Sequence, residues 1–579
     1  SDSYSVRRVV GAEEWAVNPA HRGGRWLQFR AVMKTGDSYY TPKLYRAELR
    51  CGASMSEIRW LNVLSESGSQ KYCFNPGQTA VFKPQILDFT GHGNIASVEL
   101  ALKDPSGKEA LRTPMARAEA LSDEEACFVH RHPFPADAPL GEWQAVVTVR
   151  STSGKTCTEM AVLKVRQPYR AAPQRMLVGA LVDDYGFRNY RGEALQKLVA
   201  KYRSCTGLEI WKLAVAWARL EPTPGKLDEE VIAGFKTFIA AAKDAGAKAQ
   251  ITIQQQNFPD WANNSEWDSV ARYRYDQTKR LADTWTRFAT ALKDCPGLES
   301  YLLINEENHV HDADAYLRAM TKVGSAVRRV DPNLAHRITI RPNTRTPYLR
   351  TRIATDGSQD YDYGSGGYPT SAAWYFKKYA SPVSQTSCLR MAHLHDSAIA
   401  FGGPCGIGEI GFFHRRPQDA FGDEEKLAGF QRAMTIAYEL GMDEYMLWGG
   451  GFSFDKLDVY FPKLLAFRDE LIKRPRPSGL DVCLLLDAGE GMSANVPPAS
   501  SMLDMSAQPY AAAIRFLDEK GFVWFYASPE AAAIQTVKPR AVVKLSGLKG
   551  KSAAEQVKSL TESLRAVKPS GTPLPWPSE

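Results

Sequence analysis

The fold of this chain is decided by the run Tyr301-Leu302-Leu303-Ile304-Asn305-Glu306, an unbroken apolar segment that ends on a glutamate. A second run, Cys405-Gly406-Ile407-Gly408-Glu409, repeats the pattern. A buried parallel strand reads as a continuous apolar run, because both of its faces are covered. The carboxyl-terminal ends of such strands are where an α/β barrel carries its chemistry. The two runs therefore predict two barrel strands that bring Glu306 and Glu409 to one mouth.

The alternation of strand-like and helical segments extends in both directions from these runs. Eight strands are predicted at Met176–Val182, Leu208–Ala216, Ala249–Ile253, Tyr301–Asn305, Arg337–Arg341, Asp360–Gly366, Gly403–Glu409 and Glu444–Trp448. Eight β/α units within residues 175–475 predict a (β/α)8 TIM barrel. A doubly wound open sheet is the alternative, but no glycine-rich phosphate loop accompanies the strands.

The regions on either side of the barrel have different patterns, so we expect a multidomain chain. Residues 1–170 predict an N-terminal β-sandwich of one or two immunoglobulin-like modules, because alternating segments such as Glu142–Val149 are separated by turn signals. Residues 479–568 predict a small α/β domain, flavodoxin-like, with parallel strands. Residues 569–579 form a Pro-rich tail.

Composition excludes several classes of protein. The 579 residues exceed what one core serves, so two to four domains are expected. The net charge of +7 comes without a dense Lys/Arg block, which argues against a nucleic-acid partner. No apolar run approaches the roughly 20 residues of a membrane span. The start, Ser1-Asp2-Ser3-Tyr4, lacks a signal peptide and an initiator methionine, as a processed chain would.

Nine cysteines are scattered without a CxxC pair, which argues against a structural zinc site. Cys51 with Cys73 and Cys388 with Cys405 are candidate disulfides. Buried reduced thiols are the alternative for each of them.

The paired glutamates suggest a specific chemistry. Retaining cleavage of a glycosidic bond needs one carboxylic acid to protonate the leaving oxygen and a second carboxylate, about 5 Å away, to attack the anomeric carbon. Strands four and seven of one barrel can supply Glu306 and Glu409 at that separation. Asn305, beside the acid, can hydrogen-bond the sugar 2-hydroxyl. A surface glutamate at a strand end is the alternative for either residue alone.

An ordered set of short motifs over residues 175–475 resembles the glycoside hydrolases of clan A. The segment Trp217-Ala218-Arg219-Leu220-Glu221-Pro222 resembles the second-strand motif of families 1 and 42, and Phe258-Pro259-Asp260-Trp261 resembles the third-strand segment. Tyr445-Met446-Leu447-Trp448 resembles the eighth strand. The resemblance implies that Glu306 is the acid/base and Glu409 the nucleophile. The domain order is partly similar to that of family 42 β-galactosidases, which implies a homo-oligomer formed through the C-terminal domain.

The same resemblance implies roles for residues around the two glutamates. Arg219 is expected to hydrogen-bond Glu409 and keep it ionised, because an adjacent cation lowers a carboxylate pKa. Trp261 and Trp448 are expected to stack on the sugar. For these three residues, a rim salt bridge and core packing are the alternatives.

Two positions depart from the clan's pattern or leave a choice. Glu307 stands where the clan usually has proline, and it is therefore an alternative acid. The tyrosine that orients the nucleophile is expected to be Tyr368, with Tyr363 as the alternative.

Further polar residues follow the predicted strands and are candidate sugar contacts; among them are Asn257, His309 and Arg341. Cations at a rim can bind a carboxylate or sulfate, so an acidic or sulfated sugar is one expectation. Loop solvation is the alternative.

The sequence thus predicts a retaining β-glycoside hydrolase that acts on an oligo- or polysaccharide with no cofactor and no metal. A noncatalytic carbohydrate-binding or scaffold protein on a TIM barrel is one alternative. A metal-dependent barrel hydrolase, with ligands from His309-Val310-His311 and His393-Leu394-His395-Asp396, is another. Export as a secreted or periplasmic protein is expected from the architecture.

Overall fold

The computed structural model describes residues 6–8, 15–17, 56–88, 92–121, 125–167, 175–181, 191–254, 258–262, 273–305, 313–340, 357–362, 405–410, 423–439, 441–448, 457–474, 480–485, 511–527, 538–571 and 573. Antiparallel sheets come first, a closed parallel barrel follows, and a small parallel sheet comes last.

The N-terminal region consists of a two-stranded pair and two larger sheets. Its strands are β1 Val6–Arg8, β2 Trp15–Val17, β3 Ser56–Leu64, β4 Cys73–Phe74, β5 Thr79–Asp88, β6 Ile95–Lys103, β7 Glu109–Pro114, β8 Ala116–Ala120, β9 Glu125–Pro133, β10 Gly141–Ser151 and β11 Thr156–Val165. The sheets have the orders β4-β11-β10-β6-β7 and β3-β5-β9-β8. All pairs are antiparallel except β4 with β11. The immunoglobulin-like assignment stays a prediction.

Eight parallel strands close into a barrel, since each pairs with the next and the first pairs with the eighth. The strands are β12 Leu177–Leu181, β13 Ile210–Ala216, β14 Lys248–Gln254, β15 Leu298–Asn305, β16 Arg337–Ile340, β17 Gly357–Asp362, β18 Cys405–Ile410 and β19 Glu444–Trp448. Strands β13 and β15 are buried at every position, as a sheet covered on both faces requires. The predicted barrel is confirmed.

The sixth barrel strand lies earlier in the chain than predicted. We expected Asp360–Gly366, whereas β17 begins at Gly357 and ends at Asp362. The fifth strand determines this register, because Thr339 pairs with Gly357 and Ile340 with Ser358. The residues at the end of the expected strand lie outside the described ranges.

Helices follow most of the barrel strands and cover the outside of the barrel. They are α1 Gly192–Ser204, α2 Trp217–Leu220, α3 Glu229–Asp244, α4 Tyr275–Leu292, α5 Ala313–Val330, α6 Asp423–Glu439 and α7 Leu457–Leu471. Short α2 was expected only as part of a second-strand motif. None of the helices in the described ranges is both long and apolar enough to cross a membrane.

An ion pair network lies at the end of the barrel where the strands begin. Arg337, the first residue of β16, contacts Glu299 of β15 and Glu444 of β19. Gly406 leaves room for this arrangement, because a Cβ there would lie 2.8 Å from the Cβ of Glu444. These ion pairs connect strands four, five and eight opposite the mouth.

A second charged cluster joins the first barrel strand, β12, to the last barrel helix, α7. Glu209 accepts a hydrogen bond from the Val178 amide at 2.9 Å and pairs with Arg468 of α7 at 2.5 Å and with Arg175. Burial of this carboxyl opposes ionisation, but the Val178 amide and the two guanidinium groups outweigh it. The pKa of Glu209 therefore lies below its ordinary value.

The N-terminal sheets pack on helix α5 through buried charges. Glu142 of β10 pairs with Lys164 of β11 at 2.8 Å and with Arg328 of α5 at 3.1 Å, and all three side chains are buried. The Val162 amide donates to Ser325 Oγ at 2.9 Å. One sheet and one barrel helix thus share a hydrogen-bonded interface.

Aromatic contacts extend this interface toward helix α4. The rings of Trp60 and Tyr275 meet edge to face, with centroids 5.4 Å apart and planes at 78°. The Arg318 guanidinium lies 4.4 Å from the Trp60 ring centroid. Both cation–π and edge-to-face contacts add to the burial of apolar area.

The C-terminal region is a three-stranded parallel sheet with the order β21-β20-β22. Its elements are β20 Val482–Leu485, α8 Ala511–Glu519, β21 Trp524–Ala527, β22 Ala541–Lys544 and α9 Ala553–Ser563. Asp518 of α8 pairs with Arg432 of barrel helix α6 at 2.7 Å and accepts from the Trp524 indole at 2.8 Å. The flavodoxin-like assignment and the role in oligomerisation stay predictions.

Free thiols account for the described cysteines outside strand β18: Cys73, Cys127, Cys157, Cys205, Cys295 and Cys483. The candidate disulfide of Cys73 with Cys51 is therefore wrong, because Cys73 is a buried free thiol. Cys388 and Cys51 lie outside the described residues.

Candidate active site

A buried lysine inside the barrel is hydrogen-bonded to residues near the ends of two other strands. Lys212 lies in β13, and its side chain has no exposed surface. An ammonium group taken out of water must be hydrogen-bonded or paired, since an isolated buried charge is very costly. Its Nζ donates to Asn305 Oδ1 at 2.7 Å and to the Gly408 carbonyl oxygen at 3.4 Å. One cation thus connects strands two, four and seven.

The two partners of Lys212 directly precede the predicted catalytic residues. Asn305 is followed by Glu306, and Gly408 is followed by Glu409. Glu409 belongs to β18, where it pairs with Tyr361. Glu306 lies outside the described residues.

Asn305 is fixed within the barrel by a second hydrogen bond. Its Nδ2 donates to Gln254 Oε1 at 3.0 Å, and only 1% of the residue is exposed. Because Lys212 donates to the amide oxygen, the orientation of the amide follows from its partners. The predicted contact between Asn305 and a sugar hydroxyl stays a prediction.

Two half-buried side chains follow strands two and three. Arg219 lies in α2, directly after β13, and Trp261 lies in the 3-10 turn Asp260–Ala262. The Trp261 ring meets Trp217 edge to face, with centroids 5.6 Å apart and planes at 84°. Its indole nitrogen donates to the Glu221 carbonyl oxygen at 3.0 Å. The segments that carry Arg219 and Trp261 are therefore held to each other.

Of the remaining predicted site residues, Trp448 and Glu409 are described by their backbone, and the others lie outside the described residues. Trp448 is the last residue of β19, opposite Leu181 of β12, and Glu409 lies near the end of β18. The rest lie outside the described residues, and they are Asn257, Glu307, His309, Arg341, Tyr363 and Tyr368, together with the histidines of the metal-dependent alternative.

Sequence reasoning missed Lys212 and Gln254. The available signal was a single cation inside the otherwise apolar run Ile210-Trp211-Lys212-Leu213-Ala214-Val215-Ala216. A charged residue within a fully buried strand has to find partners on other strands, and only the barrel register identifies them.

The family model described as "Cellulase (glycosyl hydrolase family 5)" matches residues 187–381. The matched stretch contains Lys212, Asn305 and Glu306, and it ends before Glu409. A comparison of the sequence with curated proteins gives no match.

Among solved structures, the chain is similar to a GH5_18 from Bifidobacterium longum subsp. infantis, with 13% identity and a TM-score of 0.44 over 66% of this chain and 99% of that one. A GH5_18 from Streptomyces cattleya in complex with GlcNAc has 16% identity and a TM-score of 0.48 over 65% and 100%. Endo-glycoceramidase II from Rhodococcus sp. has 14% identity and a TM-score of 0.36 over 49% and 76%.

Proposed function

We propose that this chain, a glycoside hydrolase with a barrel of the clan A type, cleaves β-glycosidic bonds of an oligo- or polysaccharide with retention of configuration. Glu409 attacks the anomeric carbon while Glu306 protonates the departing oxygen, which leaves a glycosyl group bound covalently to Glu409. Glu306 then removes a proton from water, and the resulting hydroxide equivalent displaces Glu409 from the anomeric carbon. Two inversions restore the original configuration, and each glutamate returns to its starting protonation state.

The observation that carries the proposal is the double contact of Lys212. Its ammonium nitrogen lies 2.7 Å from the Asn305 amide oxygen and 3.4 Å from the Gly408 carbonyl oxygen. These atoms belong to the residues immediately before Glu306 and Glu409. A shared partner for both strand ends supports a common cavity for the two glutamates, which double displacement requires.

The charge of Lys212 fits the protonation states that the reaction needs. A buried cation near a carboxylate favours its ionised form, as a nucleophile requires. An ionised nucleophile in turn favours the protonated form of a neighbouring carboxylic acid, as the leaving oxygen requires. We expect Lys212 to act through the positions of strands four and seven, without contact with the sugar.

The other predicted residues complete the proposed sugar site. Trp261 and Trp448 are proposed to cover faces of the sugar, Arg219 to hold Glu409, and Tyr368 to orient it. Further polar contacts are proposed for Asn305, Asn257, His309 and Arg341.

Substrate class, location and assembly are proposals of the same kind. The arginine and histidine candidates at the rim favour an acidic or sulfated sugar. The architecture favours a secreted or periplasmic enzyme, and the C-terminal sheet is the proposed region of homo-oligomer contact.

The test is hydrolysis of a panel of aryl β-glycosides, β-1,4-glucan and β-mannan by the wild type and by Glu409→Gln. We expect the variant to lose at least about 10³-fold in kcat, because it removes the nucleophile. Proton NMR of the first-formed anomer should show retention. Inversion, or equal rates for the variant, would exclude double displacement. Sugar binding without hydrolysis would favour the noncatalytic alternative, and loss of activity with EDTA would favour the metal-dependent one.

A further inference from the structure

Glu221 is a fully buried carboxylate at the edge of the mouth. It follows α2 directly, and its side chain has no exposed surface. Burying a carboxylate is unfavourable unless several donors surround it. The hydrogen bonds of this side chain therefore show what it holds in place.

The carboxylate joins a loop to a helix. Its Oε1 accepts from the Gly225 amide at 2.5 Å and from Arg287 Nη2 at 2.5 Å. Its Oε2 accepts from the hydroxyl of Thr284, and the Trp217 indole nitrogen lies 3.5 Å away. Gly225 belongs to the segment after strand two, whereas Thr284 and Arg287 belong to α4, which follows strand three.

The backbone of Glu221 holds a third segment. Its carbonyl oxygen accepts from Trp261 Nε1 at 3.0 Å, and its amide donates to the Trp217 carbonyl at 2.9 Å. Helix α4 also holds the same turn, because Arg280 Nη1 donates to the Trp261 carbonyl at 3.3 Å. Segments after strands two and three thus meet at one residue.

We infer that Glu221 is a positioning residue that fixes the Trp261 ring, and with it one wall of the sugar site. The inference rests on the proposed function only in giving Trp261 a sugar to contact. Glu221 itself touches no substrate, because its side chain is enclosed. Its contribution is expected in substrate binding, through the orientation of an aromatic face.

Glu221→Gln tests the inference with little change in shape. A carboxylate has two acceptor oxygens and an amide has one, so either amide orientation turns an NH2 group toward existing donors. We expect KM to rise about tenfold with kcat within about threefold of the wild type, since a contact common to ground and transition states is weakened. The substrate is the aryl β-glycoside that the wild type cleaves fastest.

Glu142→Gln is the matched control, because Glu142 is also buried and also pairs with an arginine, but at the interface with the N-terminal sheets. It is expected to lower thermal stability without changing KM. A KM increase of equal size in both variants would mean a general loss of structure and would overturn the inference.

A double-mutant cycle with Trp261→Phe tests whether Glu221 changes KM through Trp261. Phenylalanine removes the indole donor to Glu221, so Glu221→Gln should raise KM less than about twofold in that background. Additive effects would overturn the inference, because they would show that Glu221 acts independently of Trp261.

Amide hydrogen exchange gives a readout that does not depend on catalysis. Glu221→Gln should speed exchange in residues 217–228 and 258–262 and leave the strands unchanged. If no glycoside is hydrolysed, the proposed function fails, and this measurement still decides the positioning role. Unchanged exchange at 258–262 would overturn it.

Discussion

The ammonium group of Lys212 links three barrel strands, β13, β15 and β18, no two of which are paired with each other. Strands two, four and seven are separated in the barrel order, yet their side chains or carbonyls meet at one nitrogen. Such an arrangement is favourable only when the donors of the ammonium are satisfied, because its desolvation has to be offset. Removing the charge should therefore disturb two strand ends at once.

Replacement of Lys212 by methionine removes the cation and keeps a side chain of similar length. We expect kcat to fall about 100-fold, since misplacing a catalytic group by about 1 Å can cost this much. Lys212→Arg retains the cation and should keep more than about a tenth of the activity. Steady-state kinetics on both variants provides the check. Wild-type kcat for Lys212→Met would contradict the role assigned to the lysine.

For single residues, the sequence was informative where a reactive side chain stands at the end of a predicted strand. Glu306 and Glu409 stand at the ends of apolar runs, so their location along the chain already suggests a barrel mouth. Lys212 and Gln254 stand within strands, and their partners lie far away in sequence. Their importance depends on register, which no local pattern contains.

At the scale of elements, the apolar barrel strands were predicted to within a few residues. Strand β15, expected at Tyr301–Asn305, occupies Leu298–Asn305 and is buried along its whole length. The predicted position of the sixth strand was wrong because this strand has little apolar character of its own; pairing with β16 determines its start, and pairing with β18 continues to its end. Local pattern therefore predicted the apolar strands well and the polar strand poorly.

The link between strand β12 and helix α7 should make barrel stability depend on pH through Glu209. The pKa of this carboxyl is lowered in the folded state, so its contribution is fully present above its ordinary value of about 4.5. That contribution is lost as pH falls through the lowered folded-state value. We expect Glu209→Gln to lower the apparent Tm at pH near 7 and to approach the wild type as pH falls toward about 3.

Differential scanning calorimetry of both proteins across this range measures the effect. Glu193→Gln is the control, because Glu193 pairs with Lys197 on the exposed face of α1. Its difference from the wild type should be small at every pH. A constant difference for Glu209→Gln between neutral and acidic pH would contradict the prediction.

At the scale of the whole molecule, charged and aromatic contacts join the N-terminal sheets to the barrel. The Glu142 carboxylate lies between Lys164 and Arg328, and the Trp60 ring contacts Tyr275. An interface that contains buried charges has to keep its geometry, since separated charges would be left without partners. The sheets and the barrel are therefore expected to move as one body.

Glu142→Ala should lower the free energy of unfolding by about 3–5 kcal/mol, because it leaves two buried cations facing each other. Glu159→Ala is the matched control at the same interface with α5, as Glu159 of β11 contacts Lys322 and Arg329 nearer to solvent. It should cost about 1 kcal/mol or less. Urea unfolding of the two variants compares them directly, and equal losses would contradict the prediction.

The arrangement around Glu142 also limits how this protein can be recombined. A chimera that keeps the amino-terminal sheets but takes its fifth helix from another barrel would lose the hydroxyl of Ser325 and the guanidinium of Arg328 together. The graft would leave an amide of β11 unsatisfied and a carboxylate with half of its counter-charge. A chimera should fold stably only when α5 is transferred together with the N-terminal sheets. The segment that has to be exchanged as a unit is therefore larger than the N-terminal region alone.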